Sequence, residues 1–298
     1  MNENRLIRDT GLDRLFTIAN YAFAVTVLAA VLYPLVYVLS ASFSSPEALV
    51  SGKVWLFPVD PGLEGYKAVF ANNRVWIGYA NSLFYMTVGT TINVIMTVAA
   101  AYPLSRADFV GRKFIMLMFV FTMIFTGGMI PTYLLVHDLG LLNTRLSLLL
   151  PNAMNIFNVV VVTSFFRSMI PNELYESAKM DGCSNFRFLL SIVLPLSRAV
   201  IAVITLFYAV DHWNSFFEAL LYLSDQQLFP LQIQLREILL LNTTSDSTLN
   251  MKEAAQNVYL SELLKYSLIV VSTLPMLILY PFVQKHLVTG VMIGSIKG

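Results

Sequence analysis

Residues 171–196 read Pro-Asn-Glu-Leu-Tyr-Glu-Ser-Ala-Lys-Met-Asp-Gly-Cys-Ser-Asn-Phe-Arg-Phe-Leu-Leu-Ser-Ile-Val-Leu-Pro-Leu, a polar island between two long apolar runs. Pro171 with Glu173 and Glu176 behind it predicts a helix with an acidic first turn. Gly182 ends that helix, and a second amphipathic piece leads past Pro195 back into apolar sequence. Helix, bend and helix make a docking shape: carboxylates on the surface, a glycine at the bend, and Phe186, Phe188 and Leu189 to seat it.

The apolar flanks decide the environment. The chain has 298 residues, 57% hydrophobic and 12% charged, far from the usual near-half apolar and quarter charged of a soluble domain. A hydrocarbon core about 30 Å thick takes roughly 20 helical residues to cross. Stretches free of Asp, Glu, Lys and Arg run from Arg14 to Glu47, Arg74 to Arg106, Lys113 to Asp138, Arg145 to Arg167 and Lys265 to Lys285. A sixth follows Arg198, interrupted by Asp211 and Glu218. These predict one all-α membrane domain over 1–298, with spans near 17–40, 79–102, 114–136, 146–169, 198–223 and 264–284. The first run is too long for the core of a secretory signal, so it is read as a retained span. With both termini cytoplasmic, inner segments hold twelve basic residues against seven outside, as the positive-inside rule asks. The island 171–196 is then cytoplasmic, and the outer loops are about 41–78, with short interfacial helices, and 224–263.

A net charge of +1 gives no reason to expect nucleic acid, and a single cysteine, Cys183, excludes an internal disulfide. The sequence contains no phosphate-binding G-x-x-x-x-G-K-[ST] loop, no H-E-x-x-H and no G-x-S-x-G. A carboxylate inside a span must face protein or water. In the fifth span Tyr208, Asp211, His212, Ser215, Glu218 and Tyr222 recur at intervals of three or four, so one side of that helix is wet or paired. Carboxylates, amides and aromatic rings together suit sugar hydroxyls and sugar faces. Tyr208, Asp211, His212, Trp213, Asn214, Ser215, Glu218 and, from the fourth span, Asn155 are the candidate substrate pathway. The same groups would equally serve as a structural pairing with a partner subunit. Asn81, Asn93, Asn152, Asn155 and Asn158 either bond helix to helix, the expected use for most, or line the route, and the three-residue spacing of Asn152, Asn155 and Asn158 leaves it open whether that part of the fourth span faces the fifth span or the cavity. His212 has no second histidine near it to make a metal site.

Glu176, Gly182, Ile192, Leu194 and Pro195 stand at the spacing of the EAA loop of ABC importer permeases, and the segment resembles the one that forms their coupling helix. The fragments Tyr102-Pro103-Leu104-Ser105-Arg106, Gly127-Gly128-Met129-Ile130-Pro131-Thr132-Tyr133, His212-Trp213-Asn214, Phe229-Pro230-Leu231-Gln232 and Gly290-Val291-Met292-Ile293-Gly294-Ser295 extend the resemblance over nearly the whole chain. They are similar to the LplC/YtcP type of MalG-like carbohydrate permeases. Ser177 and Cys183 stand where that family usually has alanine, and Asp211 where it often has glycine. The resemblance implies a type I importer permease fold with six transmembrane helices, and import of complex oligosaccharides through the bacterial cytoplasmic membrane. It implies coupling through Glu173, Glu176, Ser177, Ala178, Asp181, Gly182, Cys183 and Pro195. The partners it implies are a second homologous permease making a heterodimer, two copies of an ABC ATPase, and an extracellular solute-binding lipoprotein. No cofactor is expected in this chain; ATP and Mg would be bound by the partner ATPase. The alternatives are a secondary sugar transporter driven by an ion gradient, and an intramembrane hydrolase using Asp211, His212 and a serine.

Overall fold

In the computed structural model, residues 11–243 and 264–281 are described. Positions 244–263 of the second outer loop, 282–284 of the sixth expected span and the fragment 290–295 lie outside them. All regular structure among the described residues is helical. The elements are α1 (Gly11–Phe43), α2 (Pro46–Val50), α3 (Glu64–Ala71), α4 (Asn73–Ser105), α5 (Arg112–Ile124), α6 (Met129–Asp138), α7 (Ile156–Met169), α8 (Asn172–Met180), α9 (Asn185–Leu196), α10 (Arg198–Trp213), α11 (Phe217–Tyr222), α12 (Leu231–Thr243) and α13 (Leu264–Pro281). Three of these, α1, α4 and α13, are long and apolar enough to cross a membrane; the count rises to five if the bent pairs α5–α6 and α9–α10 are each one span.

The chain divides into two compact units. In the first, 1–71 with 239–271, the end of α1 meets α2 and the loop behind it around Ala41, Ala48, Leu49 and Val54. Tyr37 packs edge-on to Tyr266 at 5.8 Å, and the Ser267 hydroxyl donates to the Ser42 carbonyl at 3.4 Å. From Leu12 to Leu35 the large apolar side chains of α1 are exposed, the pattern of a helix whose partner is lipid or another subunit rather than water.

The second unit, 72–238 with 272–298, holds two apolar cores on α4. One joins Ala101 and Leu104 of α4 to Val159, Val162 and Phe166 of α7, Tyr175, Phe188, and Val200 and Ile204 of α10. The other joins Tyr85 to Val136, Leu148, Ala219, Tyr222 and Ile233. Gly78 lets α4 approach the start of α12 closely: a Cβ there would lie 2.9 Å from Leu231 Cα.

Three expected spans are not single helices. The third is cut between α5 and α6 by a 112° bend. Gly128 sits there at φ 88 and ψ 178, a backbone region that only glycine enters freely. The fourth has one helical turn, Leu146–Leu149, and resumes at α7, where Asn155 caps the helix by accepting from Asn158 N. Pro151 explains the gap, since it has no N–H to continue the ladder. The fifth stops at Trp213 and restarts at Phe217. The stripe read along it is therefore not one continuous helix face, and Tyr222 leaves it to stack on Tyr133 at 6.3 Å.

Candidate functional site

The polar island folds as its sequence implies. Helix α8 ends in a Schellman closure, with Cys183 N donating to Ala178 O at 2.9 Å and Gly182 N to Lys179 O at 3.0 Å. Gly182 sits at φ 73, where an L side chain is strained. Ser184 then caps α9 by accepting from Arg187 N. Glu173, Glu176, Ser177, Asp181 and Gly182 are exposed, as is Pro195, whereas Ala178 and Cys183 are half-buried against the core. Cys183 packs as a small side chain, its thiol 3.6 Å from the Ser184 carbonyl.

The seat of α8 differs from the one expected. Phe188 is buried and Leu189 half-buried, but Phe186 is 70% exposed and seats nothing in this chain. The anchor is instead Tyr175, a residue outside the expected seat. Its ring packs edge-on to Phe188 at 5.3 Å, its hydroxyl donates to Asn185 Oδ1 at 3.0 Å, and the Arg106 guanidinium lies 3.3 Å from its ring centroid. Arg106 is paired with Asp108 at 3.3 Å. A cation held on an aromatic face is worth about 0.5–2 kcal/mol, so α8 is clamped to the loop joining α4 and α5. A single apolar-periodic aromatic inside an otherwise charged helix was the available signal.

The candidate pathway residues divide. Asp211, His212, Asn214, Ser215 and Glu218 line one cavity of about 240 Å³ together with Asn152 and the rings of Phe216 and Phe217. Tyr208, Trp213 and Asn155 are not in its lining. Tyr208 is buried, its hydroxyl sharing a hydrogen bond with Thr97 at 2.7 Å and accepting from Asn155 N at 3.0 Å. Trp213 is 1% exposed and its indole donates to the Ser272 carbonyl at 3.1 Å. These three tie helices together. What separates them from the cavity group is their buried partners, Thr97 for Tyr208, Tyr208 for Asn155 and Ser272 for Trp213, whereas Ser215 and Glu218 line the same cavity as Asp211.

His212 is positioned by residues far away in sequence. A five-residue π turn, Tyr85–Gly89, widens α4, and Gly89 lies against the imidazole so closely that a Cβ would overlap the ring. One turn on, Asn93 Oδ1 is 2.8 Å from His212 Nε2, while Asn93 Nδ2 donates to the Asn152 carbonyl at 2.6 Å. With the Asn93 amide group committed to that carbonyl, its oxygen is the acceptor and Nε2 carries the proton. Asn81 likewise donates to the Gln227 and Phe229 carbonyls. Asn81 and Asn93 thus bond element to element, whereas Asn152 lines the cavity. Asp211 and Asn214 remain exposed, the two groups best placed to meet a solute. Among the described residues no cluster of three or more His, Cys, Asp or Glu is placed to hold a metal.

The chain is similar over its full length to the protein LplC of Bacillus subtilis (strain 168), 41% identical and covering 100% of both chains. It is similar too to the polygalacturonan/rhamnogalacturonan transport system permease protein YtcP of the same organism, 39% identical over 96% of this chain and 99% of that one. Among solved structures, a chain of a bacterial ABC transporter involved in the import of the acidic polysaccharide alginate matches with a TM-score of 0.84 and 35% identity, over 93% of this chain and 98% of the other. Residues 68–293 match the profile of the binding-protein-dependent transport system inner membrane components, and the chain belongs to that family, as a multi-pass membrane permease component of an ABC importer and not an enzyme.

Proposed function

We propose that this chain is one half of the permease of an oligosaccharide importer, working by alternating access. The observation that carries the reading is the exposed acidic helix α8, stiffly closed at Gly182 and clamped at Tyr175. A lever must be rigid within itself and offer an unsatisfied face to its motor. Closure of two ATPase copies around ATP and Mg would move α8, and through the shared core of α4, α7 and α10 the movement reaches the cavity at Asp211. Hydrolysis would reset it.

In this reading the six crossings are α1, α4, α5–α6, the 146–169 segment, α10–α11 and α13, with both termini and residues 171–196 cytoplasmic. The resemblance to carbohydrate permeases supports oligosaccharide as the cargo, as do the polysaccharides named for YtcP and for the alginate importer. The cavity at Asp211 is smaller than the roughly 300–1,000 Å³ of a complete small-molecule site. That suits a half-site completed by a second, homologous permease, with sugar delivered by an extracellular solute-binding lipoprotein.

The test uses the single native cysteine. In a Cys183→Ser background, Glu176→Cys should crosslink to the ATPase subunit in a nucleotide-dependent way, and membrane-impermeant thiol reagents added outside intact cells should not reach it. Labelling from outside, or no crosslink in an importer that still transports, would overturn the coupling assignment.

A further inference from the structure

The geometry points to a binding site for an anionic phospholipid headgroup beside the first turn of α8. A cavity of about 450 Å³, larger than the one at Asp211, lies between the ends of α4 and α7, the start of α5 and the start of α8. Four cations line it, Arg106, Arg112, Lys113 and Arg167, against a single carboxylate, Glu173, which is ion-paired to none of them. Arg106 is neutralised by Asp108. Arg112 and Arg167 each donate to a backbone carbonyl, of Arg106 at 2.9 Å and of Leu104 at 2.7 Å, which holds them in place without cancelling their charge. Lys113 is exposed. Three positive groups without an ion pair converge on one concavity with only Glu173 to offset them, and the excess positive charge favours a further anion among them.

A basic loop at the inner membrane surface accounts for cations in this region, but not for their convergence on a single cavity. The residues just beyond Lys113 favour lipid over a soluble anion. Phe114 and Leu117 are 65% and 62% exposed on α5, so an apolar surface for acyl chains begins where the basic groups end. A headgroup phosphate there would accept from Lys113 and Arg167 while its chains lie along α5. Because Glu173 and Pro171 share the cavity wall, such a lipid would brace the base of the coupling helix.

This rests on the cytoplasmic placement of α8 proposed above, and its test reads lipid directly. The complete importer is placed in nanodiscs of phosphatidylcholine with or without phosphatidylglycerol, and retained lipid is counted by native mass spectrometry. Wild type should retain phosphatidylglycerol. K113Q/R167Q should bind it roughly thirtyfold more weakly, about fivefold for each basic group lost near an anionic surface, and should lose any phosphatidylglycerol stimulation of ATPase activity. K113R/R167K, which keeps both charges, should restore retention; failure of both variants alike, or equal retention by wild type and K113Q/R167Q, overturns the proposal. Inorganic phosphate in phosphatidylcholine discs that reproduces the lipid's effect would show a soluble anion instead. Restoration of coupling in K113E/R167E by a charge reversal on the ATPase would show a protein occupant. A lost crosslink at E176C with lipid retention intact would refute the coupling assignment alone.

Discussion

Two helix breaks shape this molecule, and they are held in different ways. The break at Gly182 is closed by bonds among Ser177, Ala178, Lys179 and their neighbours up to Cys183, so nearly everything that makes it lies within one short peptide. The break after Trp213 carries local bonds as well, Asn214 N to Val210 O at 3.0 Å and Ser215 N to His212 O at 3.3 Å, but the residues around it are also fixed from far along the chain. His212, just before it, is fixed by Asn93, 119 residues away, and by the flat face of Gly89. Asn143, 82 residues from Asp225, accepts from the backbone N–H of Ser224 and Asp225 beyond it. A locally closed bend is a stiff part that can be pushed. A bend held by distant partners changes shape when those partners move, which is what a cavity with alternating access requires.

The sharpest way to break this contrast is at Gly89. Gly89→Ala should overpack the ring of His212 and cost about 1–3 kcal/mol, seen as a lower melting temperature of the purified importer. His212→Ala in the same chain should recover part of it, and an unchanged melting temperature for the single variant would mean the contact carries no weight. Next comes Gly182→Ala. Space is open there, so the cost is conformational alone, about 1–2 kcal/mol, and uptake should fall about tenfold while membrane insertion is unchanged. Gly182→Asn, which tolerates the left-handed region, should retain most transport; equal loss in both would place the requirement elsewhere than in backbone conformation.

Smaller effects probe the cavity and the clamp. Asp211→Asn exchanges a charge-assisted hydrogen bond for a neutral one, about 1 kcal/mol, and should raise the half-saturating sugar concentration roughly fivefold with the melting temperature unchanged. Trp213→Phe should do the opposite, lowering stability through the lost bond to Ser272 with little change in sugar dependence. Smallest is Tyr175→Phe, which keeps the ring under Arg106 and removes the hydroxyl's bonds to Asn185 and, at 3.5 Å, to Asp108, together about 0.5 kcal/mol. It should reduce the ATPase response to sugar by roughly twofold, and a response equal to wild type would leave the ring alone as the anchor.

Residue spacing and charge-free length identified the apolar stretches and the polar island by themselves, because both are properties of one segment: how many residues pass without a charge, and where a glycine comes after an acidic helix. Asn81 and Asn93 as links between helices were legible for the same reason, since bonding capacity travels with the side chain. What only the tertiary structure decided was direction. Trp213 and Tyr208 carry the same sugar-binding chemistry as their neighbours, but Ser272 and Thr97 draw them into the packing between helices, while Ser215 and Glu218 share one cavity with Asp211. The choice of Tyr175 over Phe186 as anchor was likewise made by Arg106, nearly seventy residues upstream. Helix periodicity assigns a side chain to a face only while the helix continues, and where it breaks, the partners brought by the fold determine which way each group turns.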